Sequence, residues 1–83
     1  MELEMVAYVL RSLTDRPDCF ELERTVDERG VLINVMVDKD QLGRVIGKQG
    51  NTANSIRTLL HALGLKNQAR YSMKISERVV SHV

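Results

Sequence analysis

Cysteine and aromatic residues are scarce in this sequence, and their scarcity excludes several kinds of protein. Cys19 is the only cysteine, so an intramolecular disulfide and a cysteine-rich metal site are excluded. Tryptophan is absent, and Tyr8, Phe20 and Tyr71 are the only aromatic residues. Three aromatic side chains are too few for the stacking platforms on which many single-strand-binding surfaces depend.

Long apolar runs are missing as well. No stretch approaches the roughly 20 apolar residues that cross a bilayer, and the amino end carries Glu2 and Glu4 where a secretory signal carries Lys or Arg. We therefore expect a cytoplasmic protein that has no membrane partner. The hydrophobic fraction of 43% and the charged fraction of 28% are typical of a globular chain. A chain of 83 residues predicts one domain, residues 1–83.

The net charge of +1 conceals a division along the chain. Residues 1–40 hold ten acidic and five basic residues, whereas residues 41–83 hold seven basic and one acidic. A fold that gathers the second half on one side would present a basic surface to a nucleic acid. Scattered, solvated surface charge is the alternative, and the composition alone leaves both open.

Hydrophobic periodicity predicts alternating helices and strands. The turn 27–30 ends in glycine and indicates a hairpin whose second strand is the more buried. The predicted elements are a helix from Met1 to Leu13, strands from Cys19 to Val26 and from Val31 to Val37, a short helix ending at Gly47, a helix from Asn51 or Thr52 to Leu63 with Gly64 as its C′ residue, and a strand from Ala69 to Ser76. The longer helix has the predicted apolar stripe Ala53, Ile56, Leu59, Leu60 and Leu63.

Polar residues at the helix starts have a structural explanation as caps. Asp38, with Gln41 three residues later, fits a capping box, and Asn51 or Thr52 suits the start of the longer helix. A metal site at Asp38 and Asp40 is the less favoured alternative, because no histidine or further carboxylate lies nearby in the sequence.

The two predicted helices of the second half are joined by Gly47-Lys48-Gln49-Gly50. Glycines allow positive φ and remove the Cβ atoms that would keep another molecule away. We expect the peptide N–H groups at Gly47 and Gly50 to be open to a phosphate, supported by the positive end of the following helix and by Lys48. An ordinary helix-to-helix turn is the alternative for so short a motif.

The context of this loop resembles the KH domain. That family has the pattern Ile-Gly-x-x-Gly followed by apolar residues three and six positions later, which are Ala53 and Ile56 here. The order α-β-β-α-(GxxG)-α-β is similar to the type II arrangement. The runs 43–50 and 55–60 are similar to those of small bacterial KH proteins of the KhpA family. The resemblance implies an α+β domain with a three-stranded mixed sheet packed on three helices.

The resemblance also implies a site that clamps the backbone of about four unpaired RNA nucleotides and lays their bases in an apolar groove. The phosphates would be held by Gly47, Lys48, Gln49 and Gly50, with Asn51 and Thr52 as additional contacts. The groove wall would be formed by Val45, Ile46, Ala53 and Ile56, although burial in the core is the preferred interpretation for Ile46 and Ile56. Alanine at position 53 is smaller than the usual residue and predicts a shallower wall.

Several cations could extend this site. Arg44 and Arg57, each taken to lie about one helical turn from the loop, could reach flanking phosphates, and solvated helix charge is an equal alternative for both. Lys66 and Arg70 could contribute from the loop that borders the far side of the groove.

A single site that reads few bases should bind weakly, so pairing is expected. We expect a homodimer, a heterodimer with another KH-containing protein, or both, acting on single-stranded RNA as a chaperone or regulator. The resemblance implies a KhpB (Jag)-like protein as the second KH chain. A dimerisation adaptor that binds little RNA is the rival hypothesis. No catalytic residues, metal, cofactor or small-molecule substrate are expected, because neither the histidines nor Cys19 has an evident catalytic partner.

Overall fold

A computed structural model describes residues 2–79 of the chain. The elements are α1 (Glu2–Leu13), β1 (Phe20–Asp27), β2 (Gly30–Val37), α2 (Lys39–Ile46), a 3₁₀ turn (Lys48–Gly50), α3 (Asn51–Asn67) and β3 (Tyr71–Glu77). The predicted α+β class and element order are confirmed. Met1 and His82 lie outside the described residues, and within residues 2–79 none of the helices combines the length and the apolar character required to cross a lipid bilayer.

The sheet has the order β1-β2-β3, so β2 lies in the centre. β1 and β2 form the predicted antiparallel hairpin, closed by the pair Asp27 and Gly30, whereas β3 runs parallel to β2 from Tyr71 beside Val31. A parallel neighbour requires a crossover connection, and α2, the glycine loop and α3 provide it. The loop therefore lies in the connection between two neighbouring strands.

One face of β2 builds the core. Its buried residues alternate with half-buried ones, because successive side chains of a strand point to opposite faces. The core cluster takes residues from all three helices and from two strands: Val6, Leu10, Val31, Ile33, Val35, Val37, Val45, Ile56, Leu60 and Met73. The helices thus share one side of the sheet, and the opposite side is open, with Leu32, Asn34 and Met36 half-buried at its centre.

Asp38 is not the cap that its sequence position suggests. No side-chain cap hydrogen bond forms at the start of α2. Instead, Arg78 donates to the two oxygens of the Asp38 carboxylate from Nε at 2.7 Å and Nη2 at 3.0 Å. Arg16 also pairs with Asp38 and Asp40. These bonds, led by Arg78, lower the pKa of Asp38 and tie the start of α2 to the end of β3.

The carboxyl end of α3 also differs from the prediction. Gly64 is inside the helix, which continues to Asn67 and ends at Gln68 in a left-handed conformation, with φ of 56°. A Cβ at Gly64 would lie 2.4 Å from the carbonyl oxygen of Ala69. The glycine therefore permits the chain to fold back against α3, and it does not mark the helix end. The third strand accordingly begins at Tyr71, two residues later than predicted.

Leu59 was predicted in the buried stripe of α3, and this prediction is wrong. The side chain is 49% exposed, whereas Ile56 and Leu60 are buried. Leu60 and Ile56 are four residues apart and share the face turned to the core, while Leu59 projects about 100° away from Leu60 around the helix. Leu65, near the end of α3, is 72% exposed.

Candidate nucleic-acid interface

The glycine loop reverses the chain between α2 and α3 by using left-handed backbone conformations. Gly47, Gln49 and Gly50 have φ of 79°, 57° and 76°. Non-glycine residues rarely adopt such angles, and Gln49 does so at the tip of the loop with an exposed side chain. The loop therefore has one defined shape.

Gly47 is required because the loop passes very close to the start of α3. A Cβ on Gly47 would lie 2.1 Å from the Oγ1 atom and 2.5 Å from the Cβ atom of Thr52. Gly50 differs, since a Cβ there would meet nothing within 4 Å. Its glycine is explained by the positive φ alone.

The hydrogen bonds of the loop correct the expectation about which amides are open. The N–H of Gly47 donates to the carbonyl oxygen of Gly43 at 2.9 Å, and that of Gly50 donates to the carbonyl oxygen of Gly47 at 3.2 Å. Both glycine amides are thus engaged within the protein. Across residues 2–79, no acceptor pairs with the N–H groups of Lys48 and Gln49, so these two successive amides are the open donors.

The start of α3 adds positive potential beside these donors. Gly50 occupies the N-cap position, and neither Asn51 nor Thr52 caps the helix as predicted, because no side-chain cap bond forms. The first turn holds no acidic residue, so the positive end of a 17-residue helix is not neutralised locally. The exposed Lys48 places a cation in the same loop.

The predicted wall residues are mostly buried. Val45 is fully buried, Ala53 is 4% exposed and Ile56 is 2% exposed, whereas Ile46 is half-buried. Val45 and Ile56 belong to the core cluster. They fix the positions of α2 and α3 from behind the loop. Ile46, for which burial in the core was the preferred prediction, is only half-buried and keeps accessible surface.

The two arginines near the loop have different environments. Arg44 forms an ion pair with Asp15 at 3.1 Å, and both side chains are more than half exposed. Among residues 2–79, the hydrogen-bond partner of the Arg57 guanidinium is the amide oxygen of Asn54, at 3.4 Å. Arg57 lies seven residues after Gly50, nearly two helical turns from the loop and not one as expected.

A cleft between α3 and β3 was not found from the sequence. It has a volume of about 200 Å³ and is lined by Arg57, Leu60, Tyr71, Ser72 and Met73. Its residues come from α3 and β3, which are consecutive in the chain, and they meet because the chain folds back after α3 and β3 joins the sheet beside β2. The alternation of Tyr71 and Met73 on the inner face of β3 was the available signal.

The hydroxyl of Tyr71 donates to the Glu2 carboxylate at 3.4 Å. Glu2 is buried and also accepts from Nε of Arg24 on β1. This connection holds the phenol from the α1 side, while the ring lines the cleft. In the described part of the chain, no group of three or more His, Cys, Asp or Glu side chains is placed to hold a metal ion.

A glycine loop between two helices, set in the crossover between parallel strands and preceded by a helix and a strand, defines a type II KH domain. Residues 3–75 match the family model described as KhpA/KhpB, KH domain. The chain is 37% identical to the RNA-binding protein KhpA of Treponema pallidum over 75 residues, which cover 90% of this chain and 94% of the relative. It is 34% identical to the protein of that name from Chlamydia pneumoniae over 74 residues, 89% of this chain and 95% of the relative. The chain belongs to the KhpA/KhpB family of KH domains.

Gly43, inside α2, and Gly47, directly after its last residue, provide a matched test of the loop geometry. We predict that Gly47→Ala lowers the free energy of unfolding by about 1–3 kcal/mol, because the substitution combines a positive φ with a clash at Thr52. Gly43→Ala should raise it by about 0.5–1 kcal/mol, since Gly43 lies inside α2 and a Cβ there meets nothing within 4 Å. Urea unfolding followed by circular dichroism measures both. A Gly47→Ala variant as stable as the Gly43→Ala variant would contradict the geometry.

Proposed function

We propose that this chain binds single-stranded RNA by its backbone at the glycine loop. The observation that carries the proposal is the pair of open amides at Lys48 and Gln49, placed beside a cation and the unneutralised start of α3. Successive backbone N–H groups at a helix start bind phosphate well. The KhpA relatives are named as RNA-binding proteins, which supports the choice of ligand.

In this proposal a phosphate oxygen accepts hydrogen bonds from both amides, and Lys48 neutralises part of its charge. The structure already presents both amides in this arrangement, with positive φ permitted by Gly47 and Gly50 and with the backbone of Gly47 lying close to Thr52. Asn51 and Thr52 have side chains beside the first turn of α3 and can serve as further contacts. Arg44 contributes less, since it would have to leave Asp15, although an exposed pair of this kind is worth only about 0.2–1 kcal/mol.

The bases lie toward the cleft between α3 and β3, where Arg57 is available for a flanking phosphate. The cleft offers Tyr71, Met73 and Leu60 as apolar contacts. The small side chain of Ala53 adds little to the wall of the groove. We therefore expect limited sequence preference and a strong salt dependence, because the phosphate contacts supply most of the affinity.

The direct test replaces the tip of the loop. We predict that the double variant Lys48→Asp, Gln49→Asp binds a labelled single-stranded RNA pool on the order of ten-fold more weakly, because carboxylates then face the phosphate. Aspartate tolerates the left-handed angle at position 49 better than most residues, so the variant should fold. Fluorescence anisotropy at two salt concentrations gives the affinity, and circular dichroism checks the fold.

Lys39→Asp is the matched control for Lys48→Asp. Lys39 is exposed at the opposite end of α2, so the net charge changes equally but the loop is untouched. Equal losses in the two single variants would show that total charge, and not the loop, determines binding. Unchanged binding by the loop variant would remove the loop from the mechanism.

We further propose that the chain works as a dimer, either with itself or with a second KH chain such as a KhpB (Jag)-like protein. The support is the exposure of Leu59 and Leu65, which lie with the exposed Ala62 between them on one side of α3. Two linked sites bind one RNA more tightly than either does alone. Such a pair would serve as an RNA chaperone or regulator in the cytoplasm, without catalysis of its own.

The pairing is tested by Leu59→Glu. Glutamate keeps helix propensity but places a charge on the exposed leucine face, so sedimentation velocity should show a shift from dimer to monomer. Tyr8→Glu is the control, since Tyr8 is 70% exposed on a different helix. A dimer that persists in Leu59→Glu would rule out this face. A stable dimer that binds no RNA would support the adaptor hypothesis instead.

A further inference from the structure

The lysines and arginines of this chain fall into two groups, those that form ion pairs with carboxylates and those that do not. Arg16, Arg24, Arg44 and Arg78 are paired with carboxylates. Across residues 2–79, no ion pair involves the cations of the second group, which are Arg11, Arg29, Lys39, Lys48, Arg57, Lys66, Arg70 and Lys74. Unpaired cations are available to a polyanion without the loss of an existing pair.

Three hollows of the surface share residues near the beginning of β3. The first is the cleft between α3 and β3 described above. The second, of about 240 Å³, is lined by His61, Leu65, Ala69, Arg70 and Tyr71. The third, of about 430 Å³, is lined by Asp27, Arg29, Gly30, Val31, Leu32, Arg70 and Ser72. Tyr71 joins the first to the second, Arg70 joins the second to the third, and Ser72 joins the first to the third.

These hollows pass around an edge of the sheet. β3 is an outer strand, and its successive side chains face opposite sides. Tyr71 therefore faces the helices, whereas Ser72 faces the open side of the sheet together with its β2 neighbour Leu32. A ligand that follows the hollows would leave the cleft, turn around the start of β3 and reach the open face.

The two arginines at the far end are held by a rigid backbone contact. The carbonyl oxygen of Arg70 accepts from the N–H of Val31 at 2.8 Å. A Cβ on Gly30, where φ is 133°, would lie 2.2 Å from the same oxygen. The hairpin turn that carries Arg29 is thus locked against the segment that carries Arg70, and both side chains are exposed.

The charge around this contact favours an anion. Asp27 is the only acidic residue in the linings of the three hollows, and its Oδ1 atom accepts from the N–H of Arg29 at 2.8 Å. The Asp27 carboxylate is therefore directed at its own turn. Arg57, Arg70 and Arg29 follow one another along the hollows, a distribution suited to the repeated charges of a nucleic-acid backbone.

We infer that a bound RNA continues beyond the cleft around the start of β3, and that Arg70 and Arg29 bind phosphates of this second segment. The inference rests on the proposed function, because the cleft and the loop determine where the strand enters. Its occupant is RNA, not an acidic peptide, since the hollows are continuous with the cleft. The chain would then accommodate an RNA longer than the segment clamped at the loop.

The test compares two RNAs and two double variants. One RNA has about 4 nucleotides, the length that a KH loop clamps, and the other is about three times as long. We expect wild type to bind the longer RNA more tightly. Arg29→Glu, Arg70→Glu should weaken binding of the longer RNA on the order of ten-fold, flatten its salt slope by about 1.4 for two lost phosphate contacts, and leave the short RNA unaffected.

Arg11→Glu, Lys39→Glu is the matched control, because both residues are unpaired, exposed and outside the three hollows. If this control loses as much affinity for the longer RNA, or if Arg29→Glu, Arg70→Glu loses as much affinity for the short RNA, the inference of a second segment is wrong. Binding would then depend on the total charge of the protein. Wild-type binding of the longer RNA by the Arg29→Glu, Arg70→Glu variant would overturn it directly.

The loop variant separates this inference from the proposed function. The variant Lys48→Asp, Gln49→Asp should bind both RNAs more weakly. The variant Arg29→Glu, Arg70→Glu should lose only the additional affinity that wild type has for the longer RNA. Retention of the short RNA by the loop variant would contradict the proposed function alone. Absence of binding by wild type to either RNA would overturn both.

Discussion

The contact between the backbone of Gly47 and Thr52 is the constraint on which the rest of the site depends. It leaves no room for a side chain at position 47, so the chain must leave α2 and enter α3 within one tight turn. The turn is closed by hydrogen bonds from the Gly47 and Gly50 amides, which leaves the amides of the two residues between them, Lys48 and Gln49, without a partner in the described part of the chain. The tight turn therefore leaves the N–H groups of Lys48 and Gln49 as hydrogen-bond donors that a phosphate could accept from.

The remainder of the fold holds the two helices at that contact. Val45 and Ile56 pack into the core beneath the loop, and the bond from Arg78 to Asp38 fixes the start of α2 against the end of β3. β3 in turn supplies one wall of the cleft. Because the end of β3 is tied to the start of α2 and the beginning of β3 lines the cleft, the loop and the cleft are held in a fixed relation to each other.

The sequence was sufficient for the elements but not for their tertiary roles. The alternation in β1, the apolar run in β2 and the turn that ends at Gly30 predicted the hairpin correctly, because these signals are local. The helix end predicted at Gly64 is wrong, because a glycine that permits close packing and a glycine that ends a helix look alike in sequence. The prediction that the Asp38 side chain caps α2 failed for a related reason, because its partner Arg78 is 40 residues away in the sequence. The cleft depends on β3 lying beside β2, and the local alternation of Tyr71 and Met73 indicates only which side chains of β3 face inward.

In the proposed binding mode, the amides of Lys48 and Gln49, and not those of the glycines, donate hydrogen bonds to the phosphate. Two-dimensional ¹⁵N–¹H NMR during titration with short single-stranded RNA tests it most directly. The account predicts that the Lys48 and Gln49 amide signals move most and that those of Gly47 and Gly50, which keep their internal hydrogen bonds, move less. Unmoved Lys48 and Gln49 signals, with RNA-dependent shifts confined to other surfaces, would contradict it.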